Sequence, residues 1–351
     1  ATPPLLDTLL RAPGPSGQET GPAAIWRESV GAFSDDVRVD GIGSSSVRVP
    51  GTGGGPSLAV IGHIDEIGIH ITHIDDDGYL RFGEVGGWDP FQLIGQRVRI
   101  ATRGGDVLGV VGRKPIHLLD QEERGKAPKS KDLHLDIGAA DGDEARRAGR
   151  IGDVGVIDAE PVALLGDRIA ARSLDNRIGS YVAAETARLV AEAGGSPGDV
   201  YGVAVVQEET SFAGARTSAF GLEPDIAIVV DVTHATDQPG VALGPVTKHA
   251  LGSGPVIARG TIVHPVIVDL LCDTADELKL DYTIESMGRA TGTDADAVHV
   301  SRTGVPTGIV SVPLRYMHSA VELADTADIE AAARLIAAFA QKLTPGLSLA
   351  R

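Results

Sequence analysis

The sequence predicts an α/β fold into which a second, β-rich domain is inserted. Three features support this. Near-continuous apolar runs (SLAVIG from Ser57, VYGVAVV from Val200, DIAIVVDV from Asp225) suit strands buried on both faces of a parallel sheet. Helical patterns alternate with those runs toward both ends of the chain. Between them the texture changes to short β-like stretches separated by turn residues, with no long periodic helix.

The elements follow in order. Leu5, Leu6, Leu9 and Leu10 recur at helical spacing, and the run ends at Pro13 to Gly17. A second helix is expected over Gly21 to Phe33, then strands at Val37–Val39, Ser46–Val49 and Ser57–Ile61. From Ile67 the runs IGIHITHI, YLRFGEV, RVRIAT and VLGVVGRK, broken by DDDG and RGGD, have the spacing of a small barrel or sandwich. A charged, exposed loop is expected from Asp120 to Lys131. After SLDNR, IGSYVAAETARLVAEAGG reads as an amphipathic helix ended by Gly, and VIVDLLCDTADELKL as another. DYTIESM and GIVSVPLRYMHS read as strands, and ADIEAAARLIAAFAQKL closes the chain as a helix capped by Asp325 or Thr326. Residues 1–66 and 160–351 are thus expected to form the α/β domain, and 67–159 the inserted one.

A length of 351 residues agrees with about two domains. The net charge of −17 lacks the basic footprint of a nucleic-acid binder and disfavours an anionic membrane surface. Cys272 is the single cysteine, so a disulfide within the chain and a multi-cysteine zinc site are excluded. No apolar run reaches the roughly 18 residues of a membrane span. The opening ATPPLLDTLLRAPG lacks the pattern of a signal peptide, and a cytoplasmic location is expected.

The chemistry is expected just past the apolar strands or in adjacent loops: His63 and Asp65 in GHIDEIG, Asp175 in SLDNR, Glu208 and Glu209 in VVQEE, Asp231 in VVDVT, and His318 in RYMHS. Singly, each has an ordinary reading as a cap, a turn residue, a bonded structural histidine or a solvated pair. Together they share one architecture. Ligands in open α/β sheets bind at the carboxyl ends of strands, and acids converging there need a cation. Imidazole and carboxylate without thiolate suit Zn, Co or Mn. VYGVAVVQEE reads as one buried strand, in which Glu208 and Glu209 point opposite ways and do different work. One residue separates His63 from Asp65, which lets the carboxylate fix the imidazole tautomer.

The set GHIDEIG, SLDNRIG, VVQEE followed by GA, VVDVTHATDQPG and GTDADAVHVSRTGVPTGIVSVPLRYMHSAVE resembles the M42 family of metallo-aminopeptidases, the TET-type peptidases, some of which carry glucanase names. The resemblance runs from Pro15 to the final helix. It implies a co-catalytic zinc-peptidase-like α/β/α catalytic domain with an inserted β-barrel or PDZ-like dimerisation domain. It implies two divalent metal ions per subunit, zinc first, with cobalt and manganese as alternatives. Asp175 would bridge them, His63 and Asp231 would complete one site, and Glu209 and His318 the other. Glu208 would be the general base, acting on a water between the metals, and Asp65 would orient His63. Peptides would be the substrates, and dimers would assemble into a tetrahedral dodecamer. The sequence departs from the family where Thr210, Ser211, Phe212 and Ala213 replace a stretch that usually carries a basic residue.

The expected reaction is hydrolysis of N-terminal residues. A metal-dependent deacylase or dipeptidase is the nearest alternative, and a glycoside hydrolase or a non-catalytic scaffold are more distant ones. His70, His73 and His299 are expected in structural or surface roles, and His234 in a loop hydrogen bond. The loops LGSGP (Leu251 to Pro255) and GTDAD (Gly292 to Asp296) are expected near the substrate.

Overall fold

The computed structural model describes residues 1–241 and 247–350. Its centre is an eight-stranded sheet in the order Val37–Val39, Ser45–Val49, Val200–Val205, Leu58–His63, Ile226–His234, Thr307–Leu314, Val256–Gly260, Thr283–Met287. The four strands from Val200–Val205 to Thr307–Leu314 are parallel neighbours. All residues of Leu58–His63 and Thr307–Leu314 are buried, as a strand covered on both faces requires. Register pairs Val205 with His63 and Asp231 with Ser311, so the carboxyl ends of these strands open on one edge.

Helix Leu174–Glu192 lies across the strands, with Thr326–Ala340, Pro4–Arg11 and Thr20–Val30 packed on it. It comes close because two glycines face each other: a methyl on Gly62 would fall 2.1 Å from the Gly179 carbonyl carbon. Ala213–Leu222 and Ala295–Val298 pack on one another and on strands Val200–Val205 and Thr307–Leu314. One apolar core, from Leu6 to Leu343, unites these elements. Asp325 caps the last helix, its carboxylate accepting from Ala327 N at 3.0 Å.

Strands Gly68–Ile74, Leu80–Val85, Arg97–Thr102, Gly105–Arg113, Leu133–Asp136 and Val154–Ile157 close into a barrel with its own core of Ile69, Ile71, Leu80, Phe82, Val98, Ile100 and Leu135. The fold is therefore the expected α/β body with a β-barrel inserted. The charged segment after Asp120 is not wholly loop: Gln121–Arg124 and Ser130–Asp132 each form a helical turn. A three-stranded sheet of Val162–Ala163, Arg168–Ala171 and Glu322–Asp325 went unforeseen, because its strands are too short to leave a pattern.

Candidate active site

Each predicted side chain is brought to the carboxyl edge of the parallel strands by a local backbone device. His63 is the last residue of its strand, and its side chain is 1 % exposed. Asp175 stands in the first turn of Leu174–Glu192, where it and Asn176 have non-helical angles. The Asn176 amide donates to Val230 O at 2.9 Å and accepts from Gly179 N at 2.8 Å, tying this kink to the central strand. Asp231 lies inside Ile226–His234 rather than after it. His318 follows Thr307–Leu314 in a loop, with a positive φ of 58°.

The adjacent glutamates correct the extended-strand expectation. Gln207 takes a left-handed φ of 59° and ends the extended run, so Glu208–Ser211 form a helical turn. Side chains one residue apart on a helix diverge by about 100° rather than alternating. Glu208 faces His63 and Glu209 faces His318. Asp65 holds this turn, accepting from Glu208 N at 3.0 Å and Glu209 N at 3.1 Å. Its Oδ1 is 3.4 Å from His63 Nδ1, so its shorter bonds go to the glutamate backbone.

The donor atoms meet in one cluster. His63 Nε2 is 3.2 Å from Asp175 Oδ1 and 3.6 Å from Glu208 Oε2. His318 Nε2 is 3.4 Å from Asp175 Oδ2 and 3.5 Å from Glu209 Oε1. Asp175 thus turns one oxygen toward each imidazole. Ligand atoms of His63, Asp175 and Glu209 lie within 4.8 Å of one another, as do those of His63, Glu208 and Asp231. His318 Nδ1 faces the Gly87 carbonyl at 2.7 Å, which leaves Nε2 for a ligand.

The electrostatics are those of acids short of positive charge. Burial pushes the Glu208 carboxyl up to about 10 against the pull of His63, with Asp231 and Asp294 adding to the rise. Burial likewise raises Asp231 far above the carboxylate range, and Glu209 less. Burial works against the charged His63, yet Glu208, Asp175 and Asp65 overcome it and hold the imidazole well above its usual value. Hydrogen bonds to Asp175 and Glu209 lift His318 to about 11. Asp175 goes the other way: its two histidines outweigh burial and hold it low. Both carboxylate oxygens of the buried Asp294 lack a hydrogen-bond partner. Mixed imidazole and carboxylate donors, crowded and mostly buried, fit divalent cations.

A cavity of about 330 Å³ opens over the cluster, with Thr233, His234, Glu285, Met287, Thr291, Gly292, Thr293 and Met317 on its walls. The GTDAD loop therefore contributes as expected, through Gly292 and Thr293, and His234 lines the pocket. LGSGP is absent from the wall; Gly252 N and Gly254 N donate instead to Asp328, each at 2.7 Å. His299 bonds Ala295 O at 2.7 Å, a structural role.

Sequence reasoning missed two supports. Glu322, buried, accepts from Asp175 N and from His318 N, both at 2.9 Å. Glu66 takes Arg172 at 2.6 Å, Arg177 at 3.2 Å and Gly14 N at 3.0 Å in a buried ion group behind the strand end. Their one signal was position, beside His63–Asp65 and in MHSAVE, and that carries no geometry.

Imidazoles and carboxylates that could hold a cation, gathered at the carboxyl edge of a largely parallel sheet, suit the site of a metal-dependent enzyme. Comparison with known proteins narrows the class. The family model for M42 glutamyl aminopeptidase matches residues 43–335. The lysyl aminopeptidase of Pyrococcus furiosus is 36% identical over 97% of each chain. A TET aminopeptidase structure from a marine-sediment Thaumarchaeota archaeon superposes with a TM-score of 0.91 at 34% identity, covering 97% of this chain and 96% of that one. The TET1 peptidase of Pyrococcus horikoshii, described as assembling into a tetrahedron or a large octahedral shell, gives a TM-score of 0.84 at 31% identity, covering 96% and 98%. This chain belongs to the M42 peptidase family. It is an enzyme, and its class of reaction is peptide hydrolysis.

Proposed function

We propose that this enzyme removes residues from the free N-termini of peptides, using two divalent ions and Glu208 as general base. The observation that carries the reading is Asp175, whose two oxygens face different imidazoles and so suit a carboxylate shared between two ions. His63 and Asp231 would hold one ion, Glu209 and His318 the other. Zinc suits these donors, with cobalt and manganese as alternatives. Bound there, the ions supply Lewis acidity for the scissile carbonyl and lower the pKa of the attacking water from 15.7 toward about 7. Glu208 accepts the water's proton and returns it to the leaving amine. Two bound cations would draw Glu208 back toward the ionised form that a base requires. Asp65 fixes the turn that aims both glutamates and, with its backbone O at 3.3 Å and Oδ1 at 3.4 Å from Nδ1, orients His63, while the Gly87 carbonyl orients His318.

Residues 1–66 and 160–351 form the catalytic unit in this reading, and 67–159 mediate dimerisation. Exposed Leu108, Val110, Ile116 and Leu118 on the barrel suit a buried contact between copies, within a homo-oligomer in the cytoplasm, as large as a dodecamer. The test is a peptide panel with free and acetylated N-termini, assayed with metal and with chelator. Release of residues from free N-termini alone, abolished by chelator, is expected. Cleavage of the acetylated peptides would favour a deacylase, and metal-independent turnover would remove the mechanism.

A further inference from the structure

We propose that Glu19 is a positioning residue for the general base: its buried carboxylate holds the backbone turn that aims Glu208. The inference rests on the reading of Glu208 as the base and adds a residue that acts through it. Glu208–Ser211 is one turn long, and left-handed residues bracket it, Gln207 with a φ of 59° and Phe212 with a φ of 55°. Glutamine and phenylalanine are unfavourable in that region and stay there only where their surroundings fix them. So short a helix does not hold itself.

The surroundings are two carboxylates that take three successive backbone N–H groups. Gln207 N donates to Glu19 Oε1 at 3.0 Å, Glu208 N to Asp65 Oδ1 at 3.0 Å, and Glu209 N to Asp65 Oδ2 at 3.1 Å. Glu19 therefore receives the N–H at which the strand gives way to the turn. The residue is 5 % exposed, and the same Oε1 takes Gly17 N at 2.6 Å. Its backbone opens helix Thr20–Val30, with Ala23 N donating to its carbonyl at 2.9 Å. The loop before it is fastened to the end of the His63 strand: Gly14 N donates to Glu66 Oε1 and Ser16 N to the Glu66 carbonyl, both at 3.0 Å. A second grip lies past the glutamates, where Ser16 Oγ and Thr210 Oγ1 stand 2.9 Å apart. Residues 14–19 thus hold the turn on both sides of Glu208 and Glu209. Thr210 opens the stretch in which the sequence departs from the family. A displacement of about 1 Å in a reacting group costs on the order of 10²-fold in rate, so a brace of this kind is read in kcat.

The test is steady-state kinetics of the metal-loaded enzyme on a panel of aminoacyl p-nitroanilides, with metal content by elemental analysis and amide exchange over residues 206–212. Glu19→Ala should lower kcat about 10- to 100-fold and leave KM within about 2-fold. Metal content should stay near that of the parent, because Glu209 N keeps its bond to Asp65. Exchange should quicken in the turn and not in strand Leu58–His63. Glu19→Gln keeps an oxygen for both N–H groups and should hold kcat within about 3-fold of the parent. Glu19→Asp keeps the charge but withdraws the oxygen, and should resemble Glu19→Ala; it carries the same test if the alanine variant does not fold. Ser16→Ala, at an exposed hydroxyl, should cost about 2- to 5-fold in kcat. Unchanged kcat in Glu19→Ala or Glu19→Asp overturns the inference, as does loss of metal in step with rate, or a Glu19→Gln enzyme as poor as the alanine variant. Each of those leaves the aminopeptidase reading standing. A parent enzyme that cleaves none of the panel overturns that reading and this inference with it.

Discussion

The two imidazoles of the cluster are held in different ways. His63 ends a fully buried strand, and its side chain is 1 % exposed. His318 sits on a left-handed loop residue and is 33 % exposed. The first is positioned by the parallel sheet, whose strand Leu58–His63 is buried throughout. The second is positioned by three separate contacts: Glu322 on its backbone, the Gly87 carbonyl on its ring, and Asp175 opposite. An inner half built on a strand and an outer half built on a loop should differ in affinity and in tolerance of change.

The largest effect expected comes from Glu208, which lies in the inner group. As the base, Glu208→Gln should lose about 10²- to 10⁴-fold in kcat while metal content by elemental analysis stays near that of the parent. Loss of an ion from that variant would instead make Glu208 an inner ligand, a possibility its closeness to His63 and Asp231 raises. A smaller effect should separate the halves. Glu322→Gln cannot accept from both Asp175 N and His318 N as a carboxylate does, so both ions should bind more weakly in calorimetric titration, and the outer one, which loses the support of His318 as well, by more, roughly 10- to 100-fold. Equal weakening of both would erase the distinction.

The smallest effect is on stability against pH in the metal-free protein. Glu208 rises from 4.5 to about 10 and Asp294 from 3.8 to about 7, so the folded chain binds more protons than the unfolded one. Their contribution is full below the unfolded values and is lost as pH climbs through the folded ones. His318, raised from 6.5 to about 11, adds stability that is full below 6.5 and lost toward 11. Asp175 opposes them only in acid, because its held-down carboxyl stabilises above 3.8 and loses that as pH falls. The Tm of chelated protein should therefore fall by about 5 °C between pH 5 and 9, and divalent ions should remove the decline. A Tm that rises with pH in the chelated protein would show that the acids are not short of positive charge.

Much of the fold could be read in advance because it rests on hydrophobic texture. Apolar runs gave the parallel strands, and the change after Ile67 gave the barrel. The cluster was partly legible for a related reason: His63, Asp231 and His318 lie in or after buried strands that share an edge, whereas Asp175 arrives on the first turn of helix Leu174–Glu192. The glutamate turn was not legible, since it depends on one positive φ at Gln207, which no residue pattern announces. Nor were the parts played by Gly87 and Glu19. Gly87 meets His318 across 231 residues of sequence and Glu19 meets Gln207 across 188, and no local periodicity registers such pairs.

The Gly87 contact bears on how the molecule can be divided. Gly87 follows the second strand of the barrel, yet its carbonyl holds an imidazole of the α/β body, and a methyl on neighbouring Gly86 would stand 3.2 Å from Glu209 Oε2. A boundary traced along the chain therefore differs from one traced around the chemistry. A chimaera that exchanged the barrel for another of equal size would have to copy this double-glycine corner, or the graft would deliver a sound scaffold with a misaligned outer histidine.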